Sequence, residues 1–124
     1  KDNKADTIII CSNQKFQDNE TSHCKYITVD ELNSKLDPKH ILKRLGELGI
    51  TSLILEGGSK LIKSFLQLEL IDEFYLYTSM KSNSDLDIKN PFIIDDKWKI
   101  NNKQMLSEDQ LIILERKEKC LQES

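Results

Sequence analysis

A chain of 124 residues has room for one hydrophobic core and hence for a single domain at most. Charged residues at 31% and apolar residues at 38% fit a globular fold with a modest core, while a net charge of −3, with lysines dispersed among acids, excludes the basic footprint of a nucleic-acid binder. No apolar run approaches the ~20 residues needed to cross a bilayer, and no signal-peptide pattern opens the chain, so no membrane contact and a cytoplasmic setting are expected.

Residues 1–6 are polar and are expected to fray, as is the tail 118–124. Thr7-Ile8-Ile9-Ile10-Cys11 is a continuous β-branched run and predicts a strand buried on both faces, as in a parallel sheet. Ser12 to Ser22 is polar and aperiodic, a loop. Lys25 to Val29 predicts a second strand, and Asp30 to Leu36 a turn of helix. Asp37-Pro38 starts a helix over 38–48, with an acidic N-cap and proline at the first helical position. Ile41, Leu42, Leu45 and Leu48 share one face of it, and Gly49 closes it in the left-handed conformation. Thr51 to Leu55 predicts the next strand. Ser59 to about Leu68 predicts the next helix, with an apolar stripe of Leu61, Ile62, Phe65 and Leu66.

From Asp72 to Met80 the period becomes two, with Phe74, Leu76 and Met80 on one face and Tyr75 and Tyr77 on the other. Asp95 to Lys103, which carries the single tryptophan, Trp98, predicts an edge strand, and Gln110 to Glu115 the last strand. Strand–helix–strand order in the first part implies right-handed parallel crossovers, and strands without intervening helices imply an antiparallel C-terminal edge. The expected fold class is therefore α/β: a mixed, mostly parallel six-stranded sheet with helices on its faces. Two long helices cover such a sheet thinly. That points either to a missing partner segment or to association through the uncovered face, and a homo-oligomer, a dimer, is expected.

Cys11, Cys24 and Cys120 are an odd number at wide spacing without a C-x-x-C pair, and His23 and His40 stand without clustered ligands, so no metal is expected. Cys11 ends an apolar run and reads as a small core residue. The chemistry concentrates at Leu55-Glu56-Gly57-Gly58-Ser59-Lys60-Leu61, where a strand turns into a helix. Unpaired N–H groups and the positive end of the macrodipole favour phosphate at a helix start, and two glycines admit a large anion. Neither the dinucleotide fingerprint nor the P-loop spacing is present. On the residues alone, a phosphate cradle at Gly57, Gly58, Ser59 and Lys60 stands beside a plain turn that uses glycine for its dihedral freedom. Glu56, at the end of a predicted parallel strand, faces the crevice where such sheets bind ligands. Three roles are open to it: a helix cap stabilising by about 0.5–1 kcal/mol, an acceptor for a substrate donor group, or, in a buried setting, a proton source. Lys60 and Lys63 either add charge to a phosphate site or face water.

The block from Asp37 to Met80, a helix followed by L-G-E-L-G-I-T-S-L-I-L-E-G-G and then by S-F-L and L-I-D-E-F-Y-L-Y, resembles the reductase domain of the bifunctional riboflavin-biosynthesis deaminase-reductase, a dihydrofolate-reductase-like fold. T-I-I-I-C-S resembles the strand before that family's adenosine site, and L-I-I-L-E-R-K its closing strand, so the resemblance runs from about Thr7 to Lys117. It implies NADPH as cofactor and reduction of 5-amino-6-(5-phosphoribosylamino)uracil, whose ring-opened ribose becomes a ribityl chain. It also implies substrate contact for Glu56 and cofactor-phosphate contact for Gly57, Gly58, Ser59, Lys60 and Leu61. Ser12 falls on the adenosine 2′-phosphate side, and no residue here matches a catalytic role. Hydride passes directly in this chemistry, which leaves positioning and electrostatics to the protein. The first half of such a domain and the zinc-bearing deaminase half are not here. After Tyr77 the family's proline and glycine are replaced by Thr78-Ser79-Met80-Lys81. The chain thus reads as a C-terminal reductase fragment. Two other readings stand beside it: a non-catalytic oligomerising α/β module indifferent to nucleotides, and a reductase of the same fold acting on another pterin or pyrimidine.

Overall fold

The computed structural model describes residues 5–12, 21–79, 92 and 94–117, which belong to two compact units, Lys1–Leu55 and Glu56–Ser124. The tail 118–124, residues 1–4 and 13–20, Met80, Lys81 and Cys120 lie outside the described residues.

In the first unit, β1 (Thr7–Cys11) pairs in parallel with β2 (Cys24–Thr28), from Thr7 opposite Cys24 to Cys11 opposite Thr28. The ladder is extended by Thr7 N–H donating to the His23 carbonyl and Val29 N–H to the Cys11 carbonyl. The expectation that β1 is buried on both faces is not met. It has one partner strand among the described residues, alternates between exposed and half-buried, and leaves Ile9 38% exposed. Cys11 is half-buried, its Sγ 3.7 Å from the Ile27 carbonyl oxygen.

The helical turn expected over Asp30 to Leu36 is instead a hairpin of β3 (Glu31–Leu32) and β4 (Lys35–Leu36). Its two-residue turn has φ of 53° at Asn33 and 60° at Ser34, the doubly left-handed geometry that matches strand twist and that asparagine tolerates. Asp37 N–H donates to the Asp30 carbonyl and brings the chain back to the start of α1 (Pro38–Glu47). There Asp37 Oδ1 accepts from Lys39 N–H at 3.0 Å, and proline occupies the first turn, where its missing donor costs nothing. The helix ends in a Schellman motif. Gly49, at φ 83°, donates to the Gly46 carbonyl, and Ile50 N–H to that of Leu45.

Thr51 to Leu55, expected as a strand, has no ladder partner among the described residues and no regular secondary structure. Leu53 is half-exposed and Ile54 84% exposed. Its composition is strand-like, but a strand exists only as a pairing, and here none forms.

The second unit carries α2 (Ser59–Gln67) and an antiparallel sheet of β5 (Glu73–Ser79), β6 (Trp98–Leu106) and β7 (Asp109–Arg116) in the order β5-β7-β6. β6 is an edge strand, as expected, with a bulge between Ile100 and Asn102. The period-two reading of β5 holds: Phe74 and Leu76 are half-buried, and Tyr75 and Tyr77 are exposed. Phe92, Trp98 and Leu114 form the core, with Leu66 from α2 and Phe74 packed against them. Phe74 stacks on Phe92 at 4.2 Å, and both rings meet Trp98 edge-on, the arrangements that ring quadrupoles favour.

The class is mixed α/β, as expected. The pairing falls into three small sheets rather than one six-stranded sheet, and β1–β2 is the single parallel pair among the described strands. Among the described residues, no helix is long and apolar enough to cross a membrane.

Candidate functional site

The corner before α2 is built from a short exposed stretch, Glu56 to Lys60, leading into Leu61, which is also exposed. Gly58 is the N-cap, with φ −70° and ψ 163°, ordinary extended backbone. Gly49 is the one glycine at positive φ, so neither Gly57 nor Gly58 supplies left-handed freedom. The two glycines differ in their surroundings. A Cβ at Gly57 would stand 2.8 Å from Leu61 Cδ2, so part of the requirement there is local packing. A Cβ at Gly58 would meet nothing within 4 Å among the described residues. That space lies in front of the helix start.

The Gly58 carbonyl accepts from Leu61 N–H at 3.0 Å and Ile62 N–H at 3.2 Å, closing the first turn. No side chain caps α2, and the Ser59 and Lys60 amides have no acceptor among the described residues. Nor is there an acid in the first turn of the helix. Two N–H donors and the positive end of the macrodipole are therefore without an acceptor among the described residues, the arrangement that receives an oxyanion.

The structure also narrows the roles of Glu56. It does not cap α2, and it is exposed, so the proton-source role, which needed burial, has no support. What remains is a carboxylate one residue before the glycines, available as an acceptor. Lys60 is exposed beside the amides with no ion partner among the described residues. Ser12 follows β1 in the first unit and is exposed. The structure thus brings Glu56, Gly57, Gly58, Ser59, Lys60 and Leu61 together on one turn, and Ser12 is not part of that turn. Among the described residues, no group of three or more His, Cys, Asp or Glu side chains could hold a metal ion.

A second concave feature escaped the sequence reading. A cleft of about 230 Å³ lies along α2 and the edge of the β-sheet, lined among others by Lys63, Trp98 and Arg116. The Arg116 guanidinium lies over the Trp98 ring at 4.8 Å, and its Nε donates to the Ile71 carbonyl at 2.8 Å. Lys63 thus belongs to this cleft. Its walls come from residues 63 to 116, a separation no local motif reports. Elsewhere, the Glu73 carboxylate, which accepts from the Tyr75 hydroxyl and repels the phenolate, raises Tyr75 above its ordinary value.

The profile of the RibD C-terminal domain family matches residues 1–80. The riboflavin biosynthesis protein RibD of Buchnera aphidicola subsp. Baizongia pistaciae is 33% identical over 60 residues, 48% of this chain and 16% of that protein. Its namesake from Actinobacillus pleuropneumoniae is 32% identical over 88 residues, 64% of this chain and 23% of that protein. The chain therefore spans less than a quarter of the length of these relatives. Among solved structures, a diaminohydroxyphosphoribosylaminopyrimidine deaminase/5-amino-6-(5-phosphoribosylamino)uracil reductase from Thermotoga maritima superposes with a TM-score of 0.55 at 21% identity, over 89% of this chain and 37% of that one. The fold is shared with that protein. With residues 1–80 of its 124 accounted for by the family profile, the chain belongs to the RibD C-terminal domain family.

Proposed function

We propose that this chain supplies the cofactor-holding corner of a 5-amino-6-(5-phosphoribosylamino)uracil reductase of riboflavin biosynthesis, with NADPH as its reductant. The reading rests on one observation above all: α2 starts uncapped, with open space where a Cβ of Gly58 would stand. The names of the two relatives and of the structural neighbour support the pathway and the reaction.

On this reading the Ser59 and Lys60 amides donate to the cofactor diphosphate, and the Lys60 ammonium adds a charge to the same group. The side chain of Leu61 closes the base of the turn. Glu56 accepts a hydrogen bond from a donor group of the substrate. Bound NADPH supplies the hydride. The chain's own part is to hold the diphosphate so that the nicotinamide end is fixed in space, a positioning role. Assembly as a dimer in the cytoplasm, with the remaining walls of the substrate pocket contributed by other parts of the polypeptide, belongs to the same proposal.

Thermal unfolding with and without NADPH tests it. At a hundredfold excess over Kd the cofactor should stabilise the chain by about 2.7 kcal/mol. Gly58→Val should remove that gain, because the branched side chain fills the space in front of the amides, its Cβ meeting no atom within 4 Å among the described residues. No NADPH-dependent rise in Tm at millimolar cofactor, or an undiminished rise in the valine variant, overturns the assignment of this corner.

A further inference from the structure

The cleft beside α2 combines an apolar wall with an excess of positive charge. Trp98, 7% exposed, and Leu66 supply the apolar surface. Three cations, Lys63, Lys97 and Arg116, face two carboxylates, Glu69 and Asp95, so one positive charge is left over.

The carboxylates are already engaged. Glu69 Oε1 accepts from Lys97 Nζ at 2.7 Å, and Asp95 Oδ1 accepts from the Lys97 backbone N–H at 3.0 Å. The donors are not. Lys63 has no partner among the described residues, and the Arg116 guanidinium spends its Nε on the Ile71 carbonyl, leaving its two terminal nitrogens without a protein acceptor there. The negative end of α2 opposes an incoming anion, but Glu69 and Leu70 N–H groups bond the Leu66 and Phe65 carbonyls and blunt that end. At about 230 Å³ the space falls below the ~300–1,000 Å³ of sites for drug-sized ligands and suits a single ring.

We propose that this cleft binds a small flat anion, an aromatic carboxylate, with its ring on the Trp98–Leu66 wall and its carboxylate between Lys63 and Arg116. A carboxylate matches the planar fork of a guanidinium, and a flat ring recovers apolar area that an inorganic anion cannot. Asp95, Lys97, Trp98 and Arg116 lie beyond residue 80, where the family profile stops, whereas the cofactor corner, Glu56 to Leu61, lies within it.

Trp98 is the only tryptophan, so its emission, excited at 295 nm, reports the cleft directly. The 124-residue chain is titrated at constant ionic strength with benzoate, with benzyl alcohol and with inorganic phosphate. Benzoate should give a saturable change. Benzyl alcohol, which keeps the ring without the charge, and phosphate, which keeps charge without the ring, should each bind at least about fivefold more weakly. Lys63→Gln, a substitution at an exposed helical position, should raise the benzoate Kd about fivefold, the factor equivalent to about 1 kcal/mol for a partly exposed charge contact. Absence of saturation by benzoate, equal responses to all three probes, or an unchanged Kd in the glutamine variant overturns the proposal. None of these outcomes depends on NADPH binding.

Discussion

Replacing Gly58 with aspartate separates helix stability from diphosphate binding, because the two effects have opposite signs. Gly58 has N-cap geometry, φ −70° and ψ 163°, with nothing within 4 Å of a Cβ among the described residues. An aspartate there can accept from the free first-turn amides. Relative to glycine the cap gains a few tenths of a kcal/mol, the charge–dipole interaction about 0.3–1, and the loss of backbone freedom in the unfolded chain about 0.4–1. Together these come to roughly 1–2 kcal/mol, or a Tm about 4–8 °C higher for a domain of this size. The same carboxylate stands where the cofactor's diphosphate is proposed to sit. Two like charges ~4 Å apart at an effective dielectric constant of ~20 repel by about 4 kcal/mol, roughly a thousandfold in affinity before screening. Differential scanning fluorimetry of both proteins with and without millimolar NADPH reads both effects. The variant should melt higher than the parent without NADPH and should not respond to it. A variant that responds to NADPH as the parent does refutes the placing of the diphosphate on these amides. A variant that melts lower refutes the cap geometry itself.

The remaining predictions concern stability and protonation. Gly49→Ala places a Cβ at φ 83° with no neighbour within 4 Å, so its cost is backbone strain alone, about 1 kcal/mol and a Tm lower by about 4 °C; an unchanged Tm would contradict the left-handed cap. Leu114→Ala empties the one fully buried side chain among the described residues and should cost about 2–5 kcal/mol in urea unfolding, where less than about 1 would mean that the Phe92–Trp98–Leu114 core is not formed. The hydrogen bond from Lys97 Nζ to Glu69, with the charge of that carboxylate, raises Lys97 above its ordinary 10.5. A raised value in the folded state means that the pair's contribution is whole below pH 10.5 and fades as pH rises through the folded value; Glu69→Gln should lower the Lys97 midpoint seen by NMR, and an unmoved midpoint would refute the pairing. His40 Nδ1 lies 2.9 Å from both the Asp30 backbone nitrogen and Asp30 Oδ2, and a single nitrogen cannot accept from one and donate to the other at once. Nδ1 should accept from the Asp30 N–H, leaving the proton on Nε2; ¹⁵N chemical shifts that showed the other tautomer would remove this bond.

Features set by a few adjacent residues were legible in the sequence. Asp37-Pro38 and Gly49 fix both ends of α1 because capping is a local transaction between a side chain or a dihedral and the nearest amides. The two-residue period of β5 was legible because one of its faces meets an aromatic core. Asn33-Ser34 was missed although its signal was present: an asparagine opening a two-residue loop between short alternating runs favours a hairpin over a helical turn. Thr51 to Leu55 was misread for a different reason. Its apolar composition states what the segment is able to do, and whether it becomes a strand depends on a partner's ladder, which composition does not encode.

The glycine pair shows the same division within the site itself. The sequence marks Gly57 and Gly58 as equals, and the obvious reason for a glycine, positive φ, applies to neither. Gly57 has an internal cause, since a methyl group there would press on Leu61 and the side chain would have to move. Gly58 has none: its backbone is one that any residue adopts, serine or aspartate would cap the helix better, and the space around it is open. Among the described residues the fold tolerates and even favours a side chain at this position. A bare backbone there is what the proposed anion site requires, since the anion must reach the amides of Ser59 and Lys60 closely. Gly58, rather than the double glycine as a motif, is therefore the position on which the proposed anion site depends, and the surrounding residues matter through what they leave uncovered.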